Sequence, residues 1–138
     1  MEKVLVVGGA GYIGSHTAKA LKLSGYEVIV YDNLSTGNKS AVKFGEFVYG
    51  ELEDYEKLDT LFTEHQFLAV FHFAGSIKVP ESVENPEKYY FNNSQNSLNL
   101  ISLCRKHNIQ NFIFSSTAAV YGELPTGKAY DGHKTEPI

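Results

Sequence analysis

The chain contains a single cysteine, Cys104. One thiol cannot close an internal disulfide, so the framework of a small secreted scaffold is excluded. The helical pattern around it makes it a buried packing residue instead. Cations are outnumbered as well: 12 Lys and Arg face 16 Asp and Glu, a net charge of −4. That balance offers no basic footprint for nucleic acid. Long apolar runs are missing too. The first run, residues 4–7, stops at Gly8. Four residues are too few for a signal-peptide core or a bilayer span. The expectation is therefore a cytoplasmic protein with neither a membrane nor a nucleic acid as partner. No internal repeat or low-complexity tract breaks the chain.

What is present suits one globular domain: 138 residues, 43% of them hydrophobic and 20% charged. Short apolar runs alternate with longer helical patterns. Residues 4–7 form a continuous β-branched and Leu run, the mark of a strand buried on both faces. A helix is expected over 12–24, with Ile13, Thr17, Ala20 and Leu21 as its apolar side and Gly25 as its stop. Further strands are expected at 27–31, 44–49, 69–73 and 111–116. Asp54 is placed to cap a helix carrying Tyr55, Leu58, Leu61 and Phe62. Residues 79–85 read as a short helix or a loop. After Pro86, a long helix is expected over 87–107. Beyond Gly122 the pattern dissolves into turn residues. Strand–helix alternation at this spacing argues for parallel βαβ units with right-handed crossovers. The fold class is thus α/β, a doubly wound parallel sheet of order 3-2-1-4-5.

Chemistry enters at Gly8-Gly9-Ala10-Gly11-Tyr12-Ile13-Gly14. The string sits between an expected strand and an expected helix, the context a dinucleotide-binding loop requires. Gly8 permits the tight turn, Gly11 lets the backbone approach a pyrophosphate, and Gly14 lets helix pack on strand. The helix N-terminus adds free N–H groups and a partial positive charge. Asp32 closes the second strand, 18 residues after Gly14. An acid there accepts hydrogen bonds from ribose hydroxyls and repels a 2′-phosphate, favouring NAD over NADP.

With these residues in place the chain resembles the extended branch of the short-chain dehydrogenase/reductases, and within it the UDP-glucose 4-epimerase family. The glycine spacing, the run from Gly8 to Thr17 and Tyr31-Asp32-Asn33-Leu34-Ser35 carry the likeness. So do His72-Phe73-Ala74-Gly75, Pro80-Glu81-Ser82-Val83, Tyr89-Tyr90 with Asn92-Asn93, and the segment from Phe112 to Gly122. The resemblance implies a Rossmann-type domain that binds NAD. By it, Tyr12 and Ile13 contact the pyrophosphate, and Asp32, Asn33, Leu34, Ser35, Thr36 and Gly37 hold the adenosine ribose. Glu51 and Leu52 sit beside the adenine, Glu51 where the family usually has Asp. Phe73, Ala74, Gly75 and Ile77 line the cofactor, with Asn92 and Ser115 near its nicotinamide side. Thr117 matches the hydroxyl residue that meets the reacting sugar. No metal is implied. The implied substrate is a UDP-hexose epimerised at C4 through a 4-keto sugar, in galactose metabolism, by a homodimer.

Ala118-Ala119 follows Thr117 where related dehydratases carry an Asp-Glu pair, which favours epimerisation over elimination. The family also needs a Tyr-x-x-x-Lys motif. Tyr130-Asp131-Gly132-His133-Lys134 has the spacing, but Gly132 and the absent apolar periodicity make a helix there poor. By the resemblance, Thr135-Glu136-Pro137-Ile138 ends the loop before the motif. Residues 1–138 would then be a truncated cofactor domain lacking the catalytic pair and the substrate domain, with strand five as an open edge and low stability. Three alternatives remain: a related dehydratase, decarboxylase or reductase; a non-catalytic dinucleotide-binding module; and a single-domain reductase using Tyr130 and Lys134.

Overall fold

A computed structural model describes residues 1–76 and 79–137. Five strands, β1 (Lys3–Val7), β2 (Glu27–Asp32), β3 (Glu46–Tyr49), β4 (Ala69–His72) and β5 (Asn111–Phe114), form one sheet in the order β3-β2-β1-β4-β5. All neighbours run parallel, Val7 beside both Tyr31 and His72. The expected order is the observed one. β1 and β2 are covered on both faces, so their side chains point alternately into two cores. Leu5, Val7, Ile29 and Tyr31 face one; Val4, Val6, Val28 and Val30 face the other. β3 to β5 are shorter by one or two residues than the apolar runs suggest: β4 and β5 stop where the chain turns into the loops at the carboxyl edge, and β3 starts only after Gly45, whose φ is 134°.

The first core is roofed by α2 (Tyr55–His65) and α5 (Asn96–Lys106), through Leu58, Leu61, Phe62, Leu100, Leu103 and Cys104. Asp54 caps α2 as expected, its carboxylate accepting from Lys57 N–H at 3.0 Å. Asp59 joins the two helices, bonding Lys106 and His107 at 2.6 Å each, and those partners hold its carboxyl below the usual range. Burial pushes the Cys104 thiol up to about 11, so it stays a neutral packing group.

The second core lies under α1 (Tyr12–Leu23), and here the expected face is wrong in part. Gly14 and Ala18 are the buried residues, while Ile13 is 57% exposed and Ala20 is exposed. A helix seated through Gly and Ala comes so close to the sheet that Ile13 is turned outward, while Leu21 of the expected face still packs against the core. The long helix expected over 87–107 is present over residues 86–106, with a π-helical turn inside it. It runs as α4 (Pro86–Tyr89), the π-helical turn (Tyr90–Gln95) and α5, preceded by a short α3 (Val79–Glu84). Side chains that bond backbone and loop groups rather than pack let this segment leave the regular α register. β5 is a sheet edge, with Ile113 40% and Phe114 59% exposed.

Leu100 is fully buried between α5 and the sheet. Leu100→Ala should lower the unfolding free energy by about 3 kcal/mol, lost transfer energy plus an unfilled cavity. Urea denaturation reads this directly, and a loss under about 1 kcal/mol would mean α5 is not seated as described.

Candidate functional site

The carboxyl ends of β1, β2, β3 and β4 open onto one cleft, lined by Gly8, Gly11, Asp32, Asn33, Ser35 and Thr36 on one side. Glu51, Leu52, Phe73, Ala74, Asn92 and Asn96 border the remainder. It sits where the strand order reverses between β1 and β4, the general ligand position of open α/β sheets.

Close approach creates the cleft. Gly8 has φ of 78°, and a Cβ there would stand 2.6 Å from the Ala74 nitrogen. A Cβ on Gly14 would stand 2.3 Å from the Gly8 carbonyl oxygen. No L side chain fits either contact, so the β1–α1 turn lies flat on the loop after β4 and leaves backbone bordering the cleft. Gly11 is the residue before α1 and caps it with no side-chain bond, so the helix N-terminus stays free of protein partners from its own cap.

Asp32 organises the second loop. It is 9% exposed, one carboxylate oxygen accepting from Ala10 N–H at 2.9 Å and the other from Leu34 N–H at 2.7 Å. Each oxygen keeps a further lone pair for a ligand hydroxyl. Asn33 donates from Nδ2 to Glu51 Oε2 at 2.8 Å, and its Oδ1 accepts from Ser35 N–H. The Tyr31 hydroxyl donates to the Glu51 carbonyl at 2.8 Å, and burial raises its pKa above the usual range.

A second set of bonds fixes the β4 side. Asn93 accepts from Ser76 N–H at 2.8 Å and donates to the Ser76 carbonyl at 2.9 Å. Asn92 donates from Nδ2 to Ser76 Oγ and to Asn93 Oδ1. The Ser97 hydroxyl gives its one proton to the Asn93 carbonyl at 2.6 Å. It therefore accepts from His72 Nε2 at 2.8 Å, which fixes that nitrogen as the protonated one.

Of the residues singled out in the sequence, Tyr12 and Ile13 stand exposed on the first turn of α1 and do not line the cleft. Gly14 lies buried beneath it. Leu34 takes a left-handed conformation, φ 59°, in the turn closed on Asp32. Gly37 packs on Ala10, and Gly75 faces Asn93. Ile77 falls outside the described residues. Ser115 hydrogen-bonds the His72 carbonyl through its N–H, and Thr117 accepts from Ala119 N–H at 3.1 Å as the cap of a short 3-10 turn. Both lie beyond β5, apart from the Asp32 cleft. Tyr130 is 62% exposed in irregular chain, its N–H donating to His133, and Lys134 pairs with Glu136. Neither is on a helix.

Sequence reasoning missed Tyr31, Gly50, Ser76, Asn93 and Asn96. Gly50 had a legible signal, a glycine directly after a strand; a Cβ there would lie 2.1 Å from the Tyr31 hydroxyl. Among the described residues no His, Cys, Asp or Glu group is arranged to hold a metal ion, and no helix is long and apolar enough to cross a membrane.

The family model described as "NAD dependent epimerase/dehydratase family" matches residues 4–137. A UDP-glucose 4-epimerase of Rhizobium meliloti is 46% identical over 136 residues, covering 98% of this chain and 41% of that protein. The crystal structure of UDP-glucose 4-epimerase from Brucella ovis in complex with NAD superposes with a TM-score of 0.88 at 48% identity, covering all of this chain and 42% of that one. The Thermotoga maritima UDP-glucose 4-epimerase with UDP-glucose gives 0.84 at 37% identity, over 99% of this chain and 45% of that one. The chain thus spans about two fifths of the length of the relatives it matches.

His72 is fully buried, and burial holds its imidazole down at about 4 against an ordinary 6.5. Between those values the unfolded chain takes up a proton that the folded chain refuses. Stability is thus full above pH 6.5 and falls as pH drops toward 4, by on the order of 1–2 kcal/mol at pH 5 from this group. Melting curves at pH 7.5 and 5 should show the loss, and His72→Gln should shrink it. An equal pH effect in the variant would remove His72 as its source.

Proposed function

Since the chain belongs to the NAD dependent epimerase/dehydratase family, we propose that residues 1–138 are its NAD-binding domain. The proposed activity of the whole enzyme is C4 epimerisation of a UDP-hexose, UDP-glucose to UDP-galactose and back. The observation that carries the reading is the Asp32 carboxylate beside a cradle of glycines. Gly8 and Gly14 leave no room for a Cβ, Gly11 opens α1 toward the cleft, and Asp32 retains lone pairs for ribose hydroxyls. A dinucleotide with a free 2′-hydroxyl fits that donor set; a 2′-phosphate would meet a buried anion.

Gly8, Gly11 and the first turn of α1 would hold the pyrophosphate, and Asp32, Asn33, Leu34, Ser35, Thr36 and Gly37 the adenosine ribose. Glu51 and Leu52 would flank the adenine. When bound, NAD supplies a reversible hydride acceptor, the chemistry needed to pass a sugar C4 through a ketone. Thr117 would meet the reacting hydroxyl: its Oγ1 is oriented by Ala119 N–H, and its O–H remains available. Ala118 and Ala119 offer no acid or base for elimination. The relatives that act on UDP-glucose support the substrate class. A homodimer is proposed from the resemblance and from the exposed Tyr90, Leu98 and Ile101. Cytoplasmic galactose metabolism follows from the same likeness. Because Tyr130 and Lys134 lie off any helix, these 138 residues bind cofactor without turning over.

Calorimetric titration should show saturable NAD binding, with NADP at least tenfold weaker. Asp32→Asn should narrow that preference, and Asp32→Ala should weaken NAD about 10-fold or more, the range for losing hydrogen bonds to a charged acceptor. Equal NAD and NADP affinities would sink the assignment of Asp32. UDP-galactose incubated with NAD and the chain should stay unchanged; conversion to UDP-glucose would return Tyr130 and Lys134 to consideration.

A further inference from the structure

Asn96 is 2% exposed, opens α5 directly after the π-helical turn, and lines the same cleft as Asp32. Its Oδ1 is buried with no hydrogen-bond partner. A buried unpaired carbonyl costs stability, so native proteins keep one chiefly where something else supplies the bond. Two side-chain donors that line the cleft with it are already committed. The Tyr31 hydroxyl is spent on the Glu51 carbonyl, and both hydrogens of Asn92 Nδ2 go to Ser76 and Asn93. The π-helical turn is a second sign, since such turns carry a cost in regular helix geometry and gather at functional sites. Here it places Asn92 and Asn96 on one cleft.

We infer that Asn96 is a cofactor-positioning residue whose carboxamide oxygen accepts a hydrogen bond from the adenosine portion of the bound dinucleotide. This rests on the NAD reading above and adds a contact to it. The chemistry selects the partner group. A bare carbonyl oxygen needs a donor, and a pyrophosphate offers only acceptors at neutral pH. The sugar hydroxyls and the adenine amino group are donors. The position points to the adenosine half, because Asn96 shares its cleft with Asp32, Glu51 and Leu52, and with Asn92, which was expected on the nicotinamide side, while Ser115 and Thr117 lie outside it.

Two signatures separate this role from a structural one. Replacing an unpaired buried acceptor by an apolar group of similar shape should leave the ligand-free fold as stable or more so. The same change should cost affinity. Asn96→Leu and Asn96→Ala are measured beside the unaltered chain and Asp32→Ala, with NAD and with ADP-ribose as ligands. Ligand-free melting temperatures are recorded for each.

The expected result is a melting temperature unchanged or raised in Asn96→Leu, with NAD and ADP-ribose weakened by the same factor, fivefold or more. Affinities within twofold of the unaltered chain would overturn the inference and leave a water as the partner of Oδ1. Weakened NAD with unchanged ADP-ribose would overturn the adenosine placement. Both variants melting lower than the unaltered chain, or failing to fold, would make Asn96 structural. Failure of the unaltered chain to bind NAD would instead sink the cofactor reading itself.

Discussion

The Asp32 carboxylate accepts one backbone N–H on each oxygen, from Ala10 in the glycine turn and from Leu34 in the loop after β2. These two loops hang from different strands, and beside Asp32 they are joined by the Asn38 N–H, which donates to the Ala10 carbonyl at 3.0 Å, and by Gly37 packed on Ala10. The acid thereby ties the two loops at one wall of the cleft, and it does so with groups that must be satisfied once buried. Leu34, whose N–H closes this turn, itself adopts a left-handed conformation, a local cost that the two charge-assisted bonds offset. Recognition and scaffolding therefore share one side chain. Removing it loosens the loop that a ribose would meet as well as the acceptor it would use.

The opposite wall is built differently. No charge is involved; Asn92, Asn93, Ser76, Ser97 and His72 form a neutral chain of donors and acceptors between the helix and the loop after β4. Keeping His72 neutral matters to that chain. Ser97 has only one proton, already given to the Asn93 carbonyl, so His72 must donate from Nε2. Protonation at its other nitrogen would bury a charge among Phe112 and Phe114 with no counter-ion on its ring. The low imidazole pKa and the orientation of the wall are two consequences of the same burial.

Much of this was legible in the residues. The run at 4–7, the glycine spacing and Asp32 fix β1, the turn and the end of β2, because backbone sterics leave few other uses for such a string. The sheet order follows from parallel crossovers. The errors have physical causes. Ile13 and Ala20 form an apolar stripe by period, yet α1 seats on Gly14 and Ala18, since a close glycine contact overrides a wider but more distant apolar face. The π-helical turn in the long helix goes with hydrogen bonds from Asn93 to Ser76 and between Ser97 and His72, which no local pattern displays. Tyr31 looks like a strand residue, and its hydroxyl bond to the Glu51 carbonyl is visible only when β2 and β3 lie side by side.

Local costs fall at both ends of the sheet: Gln66 and Asn108 are left-handed, and His65 Nδ1 is unpartnered, in the turns that lead into β4 and β5. Near the cleft stand a left-handed Leu34, a π-helical turn and the unpartnered Oδ1 of Asn96, with the unpartnered Nδ1 of His72 just beneath the loop after β4. Under them lie the two apolar clusters, with Leu5, Val6, Ile29, Val30, Leu58 and Leu100 all fully buried. Stability is a small difference between large terms. At the carboxyl edge such groups are tolerable because the strands below are among the best-buried elements of the chain. A ligand that donated a hydrogen bond to Asn96 Oδ1 would recover part of that cost, so binding and stability should rise together.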